Sequence, residues 1–250
     1  VKTILYCEEQ FLKGKNVRPQ FPGRNVGLMF GLESSLHPFI GHPSYKEISH
    51  LPLNERLSIM RDPAFKQKIL NESPSFREDL QKAAKEQKSN KTKEEIKAEA
   101  EIGKKLISNY ETQFILSDPP NYEPTREDSI AYLAEQRNQS EEEVIYDELI
   151  KDNGKSLIYA CFTPYENHKL EFVETFYKLK SSVAGGSDGG AHCGLICDAS
   201  MPTTNLSHWA RDRSAGNKIP LELIIRKQTK DTAETYGLFD RGEIKTGMIA

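Results

Sequence analysis

Ser181-Ser182-Val183-Ala184-Gly185-Gly186-Ser187-Asp188-Gly189-Gly190-Ala191-His192 is the stretch on which the reading of this chain turns. A short strand of small residues, Ser182 to Ala184, runs into four glycines that surround a single carboxylate. Glycine admits positive φ and close backbone approach, which a reactive carboxylate at a strand end needs around it. In a parallel α/β barrel the catalytic residues sit at the C-terminal ends of the strands, where the loops converge, and Asp188 stands in such a place. Spacing alone leaves two readings open. Asp188 can bind a metal ion and take a proton from metal-bound water, whose pKa the metal lowers toward about 7, then pass that proton to a leaving nitrogen. It can equally be the centre of a Gly-Asp-Gly turn, its carboxylate satisfying local backbone donors.

Outward from this loop, short apolar runs alternate with helical patterns. The runs Thr3 to Tyr6, Asn25 to Phe30, Gln113 to Leu116, Ser156 to Cys161 and Ser182 to Ala184 read as strands. Thr125-Arg126-Glu127-Asp128 resembles a capping box that opens a helix toward Arg137, with Asp where Glu or Gln is usual. Ser140-Glu141-Glu142-Glu143 is the standard form and opens a second helix, ending near Gly154. Pro220 reads as the first residue of a third, where its missing N–H costs nothing. Asp231-Thr232-Ala233-Glu234 starts a fourth, closed by Gly237. Strands spaced by helices argue for βα units and a parallel sheet, which a barrel and a doubly wound sheet satisfy equally.

The middle, residues 53–112, reads as a helical excursion from that scaffold. Leu53, Leu57 and Met60 fall at helical spacing, and Arg61-Asp62-Pro63 separates them from a second helix over Phe65 to Leu70. Lys82 to Lys105 is dense in mixed Lys and Glu, the pattern of a solvated helix face.

Other chemistry-bearing residues gather less clearly. His192 lies four residues after Asp188, where it can contact substrate or support the site through hydrogen bonds, or can be a structural loop histidine. His192, Cys193 and Cys197 form His-Cys-x-x-x-Cys, but a structural zinc site needs four ligands in tighter pairs. His37, His42 and His50 have no carboxylate or cysteine at ligand spacing and read as loop or packing residues. Arg211 and Arg213 follow the Asp188 loop, and a guanidinium there can clamp a substrate carboxylate or pair with Asp212 on the surface.

The 250 residues carry 34 basic and 37 acidic side chains, a formal charge of −3, which gives no pull toward nucleic acid or an anionic membrane. No run of about 18 apolar residues is present to span a membrane. Four scattered cysteines, Cys7, Cys161, Cys193 and Cys197, do not make a disulfide framework, and a reducing cytoplasm is expected. The chain opens on Val1-Lys2-Thr3 and stops within Gly247-Met248-Ile249-Ala250, so a fragment truncated at both ends is expected.

Taken together these motifs resemble the N-acyl-D-amino-acid deacylase (D-aminoacylase) branch of the amidohydrolase superfamily. The likeness rests on three stretches. The first is Val26-Gly27-Leu28-Met29-Phe30-Gly31-Leu32-Glu33 with His37-Pro38-Phe39, Leu51-Pro52-Leu53 and Arg61-Asp62-Pro63. The second is Gly186-Ser187-Asp188-Gly189-Gly190-Ala191-His192 with Asp198-Ala199-Ser200. The third is Leu238-Phe239-Asp240-Arg241-Gly242 with the closing Gly247-Met248-Ile249-Ala250.

The resemblance implies an α/β fold: the later βα units of a metal-dependent (β/α)8 (TIM) barrel in one domain over 1–250, with 243–250 beginning the return to a small β-sandwich. It implies hydrolysis of linear amides, N-acyl-D-amino acids above all, with Asp188 as general acid/base and weak zinc ligand. His192 and Arg211 are the expected substrate contacts. The remaining zinc ligands are expected upstream of residue 1, so the fragment itself is expected to be inactive. The expected partner is a small N-acyl amino acid, with the oligomeric state open. Two alternatives stand beside this reading: a different amidohydrolase substrate, such as a cyclic amide or dipeptide, and a catalytically silent homologue that binds a ligand.

Overall fold

The computed structural model describes residues 2–74, 92, 94, 95, 98, 101, 105, 107–163, 165–190 and 193–249. In chain order the elements are α1 (Lys2–Leu12), β1 (Gln20–Pro22), β2 (Val26–Phe30), α2 (Pro43–Ile48), α3 (Leu53–Met60), α4 (Pro63–Leu70), β3 (Gln113–Ile115) and α5 (Ile130–Arg137). There follow α6 (Glu141–Leu149), β4 (Ile158–Thr163), α7 (Glu171–Lys178), β5 (Val183–Gly185), α8 (Met201–Thr204), a π-helix (Asn205–Asp212), α9 (Leu221–Gln228) and α10 (Lys230–Thr235). The fold is mixed α/β. Among the described residues no helix is long and apolar enough to cross a membrane.

The chain divides into two compact units, Val1–Val26, Thr163–Cys193 and Cys197–Ala250 forming the first, Gly27–Phe162 and Gly194–Ile196 the second. In the first unit β1 and β5 pair in parallel, with Gln20 opposite Val183, Phe21 opposite Ala184 and Pro22 opposite Gly185. α7 places Val173, Phe176 and Tyr177 at the spacing of one helical face, and all three are buried. Phe21 stacks on Phe176 at 5.1 Å and meets the edge of Tyr177 at 4.9 Å. Each such buried ring contributes about 1.5–3 kcal/mol from area alone. The π-helix carries the wider bond of its class, from the Arg213 N–H to the His208 carbonyl at 2.8 Å. Trp209 of this turn is fully buried, and its indole N–H donates to the Gly23 carbonyl at 2.6 Å.

Buried charge fastens the same unit. Lys227 on α9 donates to the carbonyls of Leu179 and Ser182 at 2.5 and 2.7 Å and pairs with Asp231 at 3.3 Å. Glu8 on α1 accepts from the Lys180 N–H at 3.1 Å and the Ser181 N–H at 2.9 Å. The lead-in to β5 is thus held from two helices.

The second unit is organised differently. Its sheet runs β2-β4-β3, with β3 and β4 antiparallel. The core brings Phe30 and Ile158 from the sheet together with Met60, Ile69, Ile130, Val144, Ile145 and Leu149 from the helices. Gly27 permits close strand approach, since a Cβ there would stand 2.7 Å from the Ala160 carbonyl oxygen. Side chains cap the helices: the Asp62 carboxylate accepts from the Ala64 N–H at 2.8 Å, and the Ser140 hydroxyl from the Glu143 N–H at 3.2 Å.

Several expectations change. Thr3 to Tyr6 is helix, not strand: Ile4, Cys7 and Phe11 are the sheltered apolar positions of α1, a 3.6-residue period that a four-residue window hides. The Thr125–Asp128 box forms, but it caps a 3-10 turn, and Ser129 caps α5. Pro220 is the N-cap of α9 and lies one residue before its first turn. The βα pattern implied parallel pairing throughout, whereas β3 and β4 form an antiparallel pair. The strands fall into two sheets, and among the described residues no closed barrel is formed. Most of Lys82 to Lys105 lies outside the described residues.

Candidate functional site

The site is built in the first unit where β1 and β5 end side by side. β5 stops at Gly185, and Asp188 follows three residues later, exposed at the tip of the loop. Asp188 has φ +42° between Gly186 at +85° and Gly190 at +97°. Asp tolerates the left-handed region better than most side chains, and glycine adopts it freely. The loop therefore turns sharply and leaves the carboxylate in the open. Among the described residues nothing lies within 4 Å of a Cβ built at Gly190, and it is the positive φ that calls for glycine there.

Beneath this loop lies a buried ion pair. Arg24, two residues past the end of β1, is fully buried, and Asp198 is nearly so. Their charged groups approach to 3.6 Å. The Arg24 guanidinium also donates to the Cys197 carbonyl at 3.0 Å and the Ser200 hydroxyl at 3.1 Å, with the Cys197 Sγ at 3.4 Å. Burial pushes the Asp198 carboxyl above its ordinary range; Arg24 opposes that shift, and the nearby charge of Asp188 reinforces it.

The turn that carries Asp198 also touches the loop. A Cβ at Gly189 would stand 4.0 Å from Ala199 Cβ, and one at Gly186 would stand 3.6 Å from Met201 Sδ and 3.8 Å from Pro22 Cβ. Met201 Sδ in turn accepts from the Gly23 N–H at 3.3 Å. A cleft of about 180 Å³ opens beside the loop, lined by Gly186, Ser187, Pro202, Asn205, Gln228 and Thr232.

Of the residues singled out in the sequence, the structure places Asp188 on a strand-end loop. His192 lies outside the described residues. Arg211 is exposed and forked onto Asp212, with Nε to Oδ1 at 2.6 Å and Nη2 to Oδ2 at 2.8 Å. That pairing raises the Arg211 pKa and lowers that of Asp212. Arg213 is instead buried, lying over Trp209 at 4.4 Å and donating to the Asn217 carbonyl at 2.7 Å.

His37 and His42 are packing residues of the second unit. His37 meets the Tyr45 ring edge-on at 4.4 Å, and burial, with the Arg56 charge adding to it, drives its pKa down to about 3. Cys193 is exposed and Cys197 half-buried. Among the described residues no three His, Cys, Asp or Glu side chains gather in a way that could hold a metal ion.

Sequence reading passed over Arg24. Pro22-Gly23-Arg24-Asn25 carries no periodicity, and nothing in it separates a buried guanidinium from a surface one. Asp198 was quoted within a motif but given no role, because its partner stands 174 positions upstream. No family model, curated protein or solved structure matches the chain.

Proposed function

We propose that this chain belongs to a hydrolase of linear amide bonds, of the N-acyl-D-amino-acid deacylase kind, with Asp188 as its general acid/base. The observation that carries the reading is an exposed carboxylate on a glycine-built loop, immediately past a strand that pairs in parallel with its neighbour. Strands so paired belong in larger parallel sheets with helices packed on them. In such sheets reactive groups sit beyond the strands' C-terminal ends. The proposal extends the β1–β5 pair to a (β/α)8 barrel.

Asp188 would take a proton from the attacking water and return it to the nitrogen as the amide C–N bond breaks, giving a free carboxylate and a D-amino acid. Such proton transfer is worth about 10²–10⁴-fold in rate. Exposure suits the role, since the carboxylate must meet both water and substrate.

Zinc is the ion that the resemblance implies. The described residues do not fit a zinc site by themselves: Asp188 is one carboxylate, and no further ligands converge on it. Ligands for the ion would have to come from outside the described residues.

The test is hydrolysis by the protein of paired N-acetyl-D- and N-acetyl-L-amino acids. Turnover of the D enantiomer alone is expected. Equal turnover of both sinks the stereospecific reading, and turnover of neither, with a ligand bound, favours a silent binding protein.

A further inference from the structure

We propose that Arg24 is a positioning residue for Asp188, acting through the turn formed by residues 197–201; the proposal rests on the function assigned above to Asp188. The chain of contacts is short. Arg24 grips the turn at three points, the Cys197 carbonyl, the Ser200 hydroxyl and the Asp198 carboxylate, at 3.0, 3.1 and 3.6 Å. Ser200 closes the same turn by donating to the Cys197 carbonyl at 2.8 Å. Ala199 Cβ, between the gripped residues, lies 4.0 Å from where a Cβ on Gly189 would stand, and Met201 Sδ lies 3.6 Å from where one on Gly186 would stand. The glycines on both sides of Asp188 therefore lie close beside a turn whose place is set from the end of β1.

The arrangement has a reason in the loop's composition. Asp188 is flanked by glycines, which supply no side chains to lock it. An acid/base must nevertheless be held close to its productive geometry, and misplacement by about 1 Å can cost roughly 10²-fold. Rigidity that the loop lacks is supplied from beneath. A planar guanidinium suits this task because it engages several acceptors in fixed directions, which a lysine ammonium does not.

A variant that separates positioning from stability removes the whole ion pair. Exchanging a buried pair for apolar side chains of similar volume is often neutral for stability. In Arg24→Met/Asp198→Leu the fold is therefore retained, while the grip on Cys197 and Ser200 is lost. We expect kcat for an N-acetyl-D-amino acid to fall by roughly 10²-fold, with KM moving less than about threefold. Amide exchange of the peptide spanning 197–205 should quicken by about tenfold or more at unchanged global stability.

Ala199→Gly disturbs no charge and guards against misfolding of the double variant. It withdraws the methyl beside Gly189 and should lower kcat by about tenfold. Wild-type kcat in either folded variant, or wild-type exchange of 197–205 in the double variant, overturns the proposal. If the wild-type protein hydrolyses no N-acyl amino acid, the functional reading fails by itself, and the exchange measurement still decides whether Arg24 holds the turn.

Discussion

The two units of this chain are held together by different means. The second packs an apolar core in which Phe30, Ile69, Val144, Ile145 and Ile158 are all fully buried. Among its polar groups Asp62, Ser129 and Ser140 cap helices, and the buried Glu148 pairs with Arg137 at 2.7 Å and Lys151 at 2.8 Å. The first buries Arg24, Arg213 and Lys227 along with Phe21, Tyr177 and Trp209. It also leaves Leu5, Tyr6, Leu12, Leu238 and Phe239 exposed. Apolar packing is non-directional and tolerant. A buried charge fixes direction, because it is costly unless each of its partners is in place. The unit stitched by charges is the one that must hold a glycine-rich loop in one shape. The unit packed by side-chain volume has no such task among its described residues.

The contrast can be broken at several points. The largest effect should come from Phe30→Ala, which empties the centre of the second unit's core and should cost about 3–5 kcal/mol. Urea denaturation followed by circular dichroism measures it, and a cost below about 1 kcal/mol would mean that this core is not what holds the unit. Lys227→Met should cost about 1.5–3 kcal/mol, because the Leu179 and Ser182 carbonyls lose a charged donor. Fluorescence of Trp209, the chain's single tryptophan, reports on that unit directly. Unchanged or raised stability would erase the distinction between the two units.

His37 sharpens the comparison through pH. Its pKa lies near 3 in the folded protein against 6.5 when unperturbed. The unfolded chain therefore binds a proton below pH 6.5 that the folded one refuses. The stabilisation is complete above pH 6.5 and is lost as pH falls toward 3, by about 1.4 kcal/mol per unit. His37→Gln should remove that slope from the difference between the two stability curves. Parallel curves between pH 6 and 4 would show that His37 takes up its proton in the folded state. The smallest effect is expected from Ser140→Ala, about 1 kcal/mol for the lost cap of α6. Thermal denaturation resolves a change of that size.

The sequence disclosed the second unit well, and for a physical reason. β2, β3 and β4 are apolar runs, Arg61-Asp62-Pro63 marks the break before α4, and α6 opens at Ser140 as its capping box implies, whereas α5 opens at Ser129, four residues after the Thr125 box expected to start it. Local signals of that kind are written in adjacent residues. In the first unit β5 and the helices α9 and α10 were legible. β1 is Gln20-Phe21-Pro22, a three-residue strand with one buried side chain, too short for any period to show. α1 carries its apolar residues on both faces and imitates a strand at its start.

At the site, Asp188 was legible because glycines mark a turn that needs positive φ. Arg24 and Asp198 were not, since a pair formed across 174 positions leaves no local trace. Arg211 and Arg213 show the same limit from the other side. Two residues apart and identical in type, one is forked onto Asp212 in solvent and the other is buried against Trp209. Arg211 lies within the π-helix, and Arg213 is the residue just past its end.

The central claim is that Asp188 is the acid/base of an amide hydrolase, and Asp188→Asn tests it most directly. The substitution keeps the side chain's shape and removes its charge and basicity. The kcat for an N-acetyl-D-amino acid should fall by about 10²–10⁴-fold with thermal stability unchanged. Retention of more than roughly a tenth of wild-type kcat would contradict the assignment.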